Sequence, residues 1–190
     1  MDNLIILFAI LIFQILLPIM VLLFLLSGFV SMLSGAPYVP ISKKSVKEVL
    51  SFGELSSRDV LYDLGCGDGR ILISGAVNFG VSKAIGYEIA LWPYLKASFS
   101  IKHKGLFNIK VLRQSIFKAD ISQATFIYLY LFPELVDKIA SKIASESKPN
   151  TKVLCVDFPI DINQHTEFQF LKSAKLNNST AYLYELKNLR

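Results

Sequence analysis

Val60-Leu61-Tyr62-Asp63-Leu64-Gly65-Cys66-Gly67-Asp68-Gly69-Arg70 sets the architecture of this chain. An apolar run ends in an acid and a three-glycine turn, and Ile71-Leu72-Ile73 opens an apolar helical pattern behind it. The run has strand composition, and the glycines permit a tight turn and close approach of the backbone to a ligand. A Rossmann-type β-α-β unit follows from that order. A second strand-like run, Ala84-Ile85-Gly86-Tyr87, leads to Glu88. An acid at that spacing can accept hydrogen bonds from both ribose hydroxyls of a nucleoside cofactor. A ligand-free glycine turn with a surface glutamate is the alternative, and the acid, the spacing and Glu88 together weigh against it.

Charge narrows the cofactor. A dinucleotide site uses G-x-G-x-x-G, so that a pyrophosphate can sit against the positive end of a helix. Here the spacing is G-x-G-x-G, with Asp63 just before the turn and Asp68 within it. Two carboxylates there repel a pyrophosphate and suit a ligand with cationic groups. S-adenosylmethionine has a positive sulfonium, a positive ammonium and no phosphate.

Residues 4–33 contain no charged side chain, and about 20 apolar residues in a helix cross the hydrocarbon core. Gln14 and Pro18 are mild interruptions, and proline is tolerated in membrane helices. A cleaved signal peptide needs a basic n-region and a short apolar core, whereas this start carries Asp2 and a much longer apolar run. The expectation is an uncleaved single-pass anchor. Lys43, Lys44 and Lys47 follow the span, which by the positive-inside rule leaves the globular part in the cytoplasm. The expected organisation is an anchor over 1–33, a proline-punctuated linker over 34–44 and a single domain over 45–190.

Beyond the anchor the chain is modestly basic, with 20 Lys and Arg against 14 Asp and Glu once Asp2 is set aside. The cluster Lys102-His103-Lys104 with Lys110, Arg113 and Lys118 reads either as a solvated surface or as a face for anionic lipid or an acidic partner. It is no basis for expecting nucleic acid. Cys66 and Cys155 are isolated and only His103 and His165 supply imidazole, so neither a metal site nor a disulfide framework is expected. Both cysteines read as packing residues of a reducing compartment.

Candidate strands recur at 60–64, 84–88, 109–112, 125–131 and 152–158, with helical patterns between them. Strands alternating with helices form a parallel sheet covered on both faces. Residues 166–171 and 181–186, joined through Lys175-Leu176-Asn177-Asn178-Ser179, form a closing hairpin. Ligands of such sheets bind outside the carboxyl ends of the strands. That rule gathers Asp63, Glu88, Gln114-Ser115-Ile116 and Tyr130-Leu131-Phe132-Pro133 around one crevice.

The motifs Gly35-Ala36-Pro37-Tyr38-Val39-Pro40, Tyr62 to Ile71, Gly86-Tyr87-Glu88 and Tyr130-Leu131-Phe132-Pro133-Glu134 resemble the membrane-anchored seven-β-strand (class I) protein-lysine methyltransferases. Members of that family modify the mitochondrial ATP synthase c subunit and the adenine nucleotide translocase. The resemblance implies a Rossmann-like class I methyltransferase domain that binds S-adenosylmethionine. It implies a cofactor pocket of Tyr38, Pro40, Asp63, Gly65, Cys66, Gly67, Asp68, Gly69, Glu88, Ile89, Ser115 and Ile116. Ser115 stands where such enzymes place an acid for the adenine amino group. Tyr130, Phe132 and Pro133 would position the acceptor.

The implied chemistry is in-line methyl transfer to a neutral lysine amine of a membrane-associated protein, which depends on orientation and desolvation and needs no enzyme nucleophile. Two other readings remain. One is methylation of a membrane-associated quinone or lipid; the other is a tethered cofactor-binding module without catalysis. Leu131-Phe132-Pro133-Glu134 does not match the N-P-P-Y motif of amino- and nucleobase-directed enzymes.

Overall fold

The computed structural model describes residues 2–33 and 41–188. Helix α1 (Asp2–Leu33) is the apolar N-terminal run, with Pro18 inside it. Its stretch Leu4–Leu26, 23 residues, is long and apolar enough to cross a membrane. Helix α2 (Lys43–Phe52) opens on Ser42, whose hydroxyl accepts from the Ser45 amide at 3.2 Å, an N-cap that satisfies one free helix donor. It begins inside the segment expected as linker.

The sheet contains seven strands: β1 (Val60–Leu64), β2 (Lys83–Tyr87), β3 (Ile109–Leu112), β4 (Phe126–Leu129), β5 (Lys152–Val156), β6 (Phe168–Leu176) and β7 (Ser179–Leu186). Their spatial order is β3-β2-β1-β4-β5-β7-β6, with the first five parallel and β7 antiparallel to both neighbours. The order reverses between β1 and the neighbouring β4, so the crevice for a ligand opens where these strands end. The expected Rossmann-like sheet and closing hairpin are both present.

Two apolar layers hold the sheet. On one face Leu61, Ala84, Phe126 and Leu154 pack against Val49 and Leu50 of α2, Ile71 and Leu72 of α3 (Arg70–Phe79), and Ala97 and Ile101 of α4 (Leu91–His103). On the other, Tyr62, Leu64, Ile127 and Leu129 meet Leu135, Val136, Ile139 and Ile143 of α5 (Pro133–Glu146). Strands buried on both faces are continuously apolar rather than alternating, as they are here.

Several boundaries differ from the sequence expectation. The alternation of strands and helices predicts a helix between β3 and β4, but that connection holds only a 3-10 turn at Ile116–Lys118. Asp120 Oδ1 accepts from the Ser122 amide at 3.1 Å and its hydroxyl at 2.7 Å, turning the chain before a helix can form. Strand β4 stops at Leu129 rather than Leu131, because its partner β1 ends at the paired Leu64 and turns away at Gly65. Strand β5 stops at Val156, since Asp157 has φ +63°, a conformation that leaves the ladder. The hairpin turn narrows to Asn177-Asn178, with Asn177 at φ +54°, where asparagine is tolerated.

Candidate active site

The glycine turn leaves β1 with Gly65, Gly67 and Gly69 at φ +91°, +53° and +76°. A side chain at Gly67 would strain a left-handed backbone, which is why the turn needs glycine there. The turn is held to β2, with the Gly65 and Cys66 amides both donating to the Tyr87 carbonyl at 2.9 Å. Gly86, beneath it, allows close packing: a Cβ there would lie 2.5 Å from Leu72 Cδ1 and 2.6 Å from Cys66 Sγ.

Glu88 is buried, and its carboxylate grips both sides of the crevice. Oε2 accepts from the Gly67 amide at 2.9 Å, and Oε1 from the Ala90 amide at 2.7 Å. Burial raises its pKa, with hydrogen bonds from the Ala90, Gly67 and Ile89 amides opposing the rise. Asp63 is more enclosed still. Burial, then the charges of Glu88 and Asp68, push its carboxyl well above the ordinary range, which favours the neutral form. Asp63 Oδ2 and the hydroxyl of Tyr128, its register partner on β4, are buried with no hydrogen-bond partner among the described residues. Orphaned polar atoms beside a glycine turn fit a ligand that brings its own donors.

Asp68 corrects part of the charge reading. Burial alone would raise its pKa, but Arg70 and Lys96 outweigh that and hold the carboxyl well below the usual range. Arg70 donates to both Asp68 oxygens at 2.8 Å, and Lys96 lies 3.2 Å away. Its charge is therefore compensated within the turn, leaving Asp63 and Glu88 as the unpaired carboxyl groups of the crevice. Arg70 also donates to the carbonyl of Ile41, a buried residue. This latches the start of the described domain against the glycine turn. Tyr38 and Pro40 lie outside the described residues.

The third wall comes from β3. The Glu88 amide donates to the Leu112 carbonyl and the Gln114 amide to the Glu88 carbonyl, bringing Ser115 and Ile116 beside Glu88 and Ile89. Ser115 opens the 3-10 turn without a side-chain cap bond, so its hydroxyl is not committed to that cap. The Cys66 thiol is pushed well up by burial first and by Asp63 and Glu88 next, as befits a packing residue rather than a nucleophile.

Across the turn runs the segment after β4. Leu131 packs onto Gly65, where a Cβ would approach Leu131 Cδ2 at 3.2 Å. Phe132 is 39% exposed and Pro133 occupies the first turn of α5, where its missing N–H costs nothing. Burial, then the charge of Asp157, raises the pKa of the Tyr130 hydroxyl at the ends of β4 and β5. Phe132 pairs with Phe158 at 5.8 Å between ring centroids. Sequence reasoning missed Phe158, although Phe158-Pro159 repeats Phe132-Pro133 at the end of the adjacent strand. The sheet thus brings together the carboxyl ends of β1, β2, β4 and β5, with carboxyl groups at Asp63 and Glu88 and an aromatic pair at Phe132 and Phe158.

The ANTKMT methyltransferase domain matches residues 63–167. A protein-lysine N-methyltransferase of Saccharolobus islandicus is 35% identical over 149 residues, covering 78% of this chain and 92% of that one. A Xenopus laevis lysine N-methyltransferase of the ATP synthase c subunit is 28% identical over 125 residues, covering 65% of this chain and 54% of its own length. The chain thus spans about half the length of that vertebrate relative. Among solved structures, an RNA methyltransferase from Salinibacter ruber in complex with S-adenosyl-L-homocysteine superposes with a TM-score of 0.72 at 31% identity, covering 80% of this chain and 96% of that one. Together with the crevice, these likenesses establish that the chain belongs to the family of the ANTKMT methyltransferase domain and is an S-adenosylmethionine-dependent methyltransferase.

Proposed function

We propose that this enzyme is a protein-lysine N-methyltransferase whose acceptor lies in a membrane-bound protein, and that α1 anchors it with the catalytic domain on the cytoplasmic side. The observation that carries the reading is the placement, at the carboxyl ends of neighbouring parallel strands, of buried acids at Asp63 and Glu88 and a partly exposed aromatic pair at Phe132 and Phe158. Likeness to the archaeal protein-lysine N-methyltransferase supports lysine as the acceptor. The uncharged run Leu4–Leu26 and the lysines after it support the anchor and its orientation.

S-adenosylmethionine would supply an electrophilic methyl group on sulfur. In this reading Glu88 accepts from ribose hydroxyls while keeping the Gly67 amide, and Asp63 receives donors at its free Oδ2. Gly65, Cys66, Gly67, Asp68 and Gly69 shape the floor, and Ile89, Ser115 and Ile116 border the base. An acceptor lysine starts with a pKa of about 10.4 and must be neutral to attack. Phe132 and Phe158, with Tyr130 and Pro133 behind them, would withdraw water from the ammonium and favour proton loss to solvent before transfer. Tyr38 and Pro40 are proposed for the pocket on family resemblance. The proposed division of the chain is an anchor over 1–33, a linker over 34–44 and the catalytic domain over 45–190.

The test is radiolabelled methyl transfer from the cofactor to membranes, followed by residue mapping. Label on specific lysines of membrane proteins supports the reading. Label confined to the lipid or quinone extract moves the acceptor to a small molecule, and absence of label with intact cofactor binding leaves a tethered binding module.

A further inference from the structure

The net charge of +5 is concentrated in one segment. From Ile89 to Ala119 there is no Asp or Glu, while Lys96, Lys102, Lys104, Lys110, Arg113 and Lys118 supply six positive charges. The rest of the chain carries 14 Lys and Arg against 15 Asp and Glu. This segment comprises α4, the loop after it, the edge strand β3 and the 3-10 turn. Among the described residues its ion pair to an acid is that of Lys96 with Asp68, which leaves Lys102, Lys104 and Lys110 to face outward.

The same segment exposes apolar surface in a pattern. Ala97 and Ile101 of α4 are buried, whereas Trp92, Leu95 and Phe99 are exposed at helical spacing, Phe99 by 72%. Phe107, in the loop after the helix, is 99% exposed. Single exposed apolar residues are ordinary; a stripe of them continuing onto a loop, rimmed by lysines, is the pattern of a helix lying in a membrane interface. Between α4 and the edge strand opens a cleft of about 380 Å³, lined by Leu106, Phe107 and Ile109 with Lys102 and Lys110 at its sides.

A further contact indicates what covers this face. Trp92 lies against Phe24 of α1, with ring centroids 6.5 Å apart. Phe24 is in the last turn of the apolar run Leu4–Leu26, and tryptophan concentrates where a membrane meets water. The stripe is therefore continuous with the anchor.

We propose that the outer face of α4, with Phe107, Lys102 and Lys110, docks on a bilayer bearing anionic headgroups. The proposal rests on reading α1 as a membrane anchor. Its consequence is positional. Helix α4 begins two residues after Ile89, and its N-cap amide at Ala90 is held by Glu88. A docked α4 holds the crevice mouth at the membrane surface, instead of leaving the domain to swing on its linker. Nucleic acid would engage the same lysines, but the aliphatic and indole stripe joined to α1 favours lipid.

The chain has a single tryptophan, so fluorescence can test the face directly. Full-length protein carrying Trp92→Phe and Phe107→Trp is reconstituted in nanodiscs of zwitterionic lipid or of zwitterionic lipid mixed with phosphatidylglycerol. In the anionic discs the indole at 107 should emit at shorter wavelength and lose most of its intensity to acyl-brominated lipid. Lys102→Glu with Lys110→Glu should restore water-like emission, as should about 1 M salt, where the Debye length is about 3 Å. Unchanged affinity for S-adenosylhomocysteine shows that these variants are folded. Resistance to alkaline carbonate extraction reports α1 separately. A carbonate-extractable chain overturns the anchor and the docking that depends on it. A carbonate-resistant chain whose indole at 107 stays open to acrylamide overturns the docking alone. Protection by transfer RNA but not by anionic lipid also overturns it, in favour of nucleic acid.

Discussion

Glu88 accepts the Gly67 amide across the crevice at 2.9 Å, tying the end of β2 to the middle of the glycine turn. A single carboxylate thus shapes the turn and faces the pocket. Glu88→Ala removes hydrogen bonds to a charged acceptor worth about 1.5–3 kcal/mol, so affinity for S-adenosylhomocysteine should fall roughly tenfold or more. Titration calorimetry on the folded variant checks this, and unchanged affinity would dismiss the role.

Gly86→Ala should destabilise the domain and press on the glycine turn at Cys66. The new methyl would stand 2.5 Å from Leu72 Cδ1 and 2.8 Å from Cys66 Cβ. Overpacking of this kind costs about 1–3 kcal/mol. Chemical denaturation measures it, and Leu72→Ala in the same chain should recover part of the loss by vacating the site.

Much of this site was legible in sequence because the glycine turn, Glu88 and the strand runs are local patterns with local causes. What was missed depends on partners distant in the chain. Asp68 reads as a free negative charge until Arg70 is seen turned back onto both its oxygens, with Lys96, a full helix away in sequence, beside it. Phe158 reads as an ordinary strand end until it meets Phe132. The helix expected between β3 and β4 failed because the Asp120 side chain captures Ser122, a competition that apolar periodicity does not register. Trp92 against Phe24 joins two segments that the sequence presents as separate units.

Asp63 predicts a pH dependence of stability. Its folded pKa lies well above the ordinary 3.8, so in that window the folded chain holds a proton that the unfolded chain has released. The unfolded state then binds fewer protons, and this residue's contribution to stability decreases as pH rises above 3.8. Asp63→Asn removes that penalty. Its melting temperature relative to the parent should climb between about pH 4 and about pH 7, while its cofactor affinity drops. A parallel pair of melting curves across this range would contradict the shift.

Arg70→Lys retains a charge but loses the planar fork that meets both Asp68 oxygens and the Ile41 carbonyl. Such a replacement at a bidentate site is not conservative. The variant should be less stable by about 1–3 kcal/mol. It should also expose the chain around Ile41 to proteolysis before the rest of the domain opens. Limited proteolysis with mass mapping tests the second point, and a cleavage pattern identical to the parent's would mean that Arg70 does not latch this segment.

The aromatic pair should separate acceptor handling from cofactor binding. Phe132 and Phe158 follow β4 and β5, and their rings carry no hydrogen-bonding group. If they desolvate an acceptor ammonium, Phe132→Ala and Phe158→Ala should leave S-adenosylhomocysteine affinity near the parent value. Aromatic faces contribute about 0.5–2 kcal/mol toward the cationic methyl-transfer transition state, so methyl transfer should fall roughly two- to thirtyfold. Losing the hydrophobic wall also keeps more of the lysine protonated, so the deficit should shrink as pH rises toward about 10, where the free amine is plentiful without help. A pH-rate profile under saturating cofactor distinguishes this from a packing defect. A packing role predicts the same fractional loss at every pH, together with a lower melting temperature.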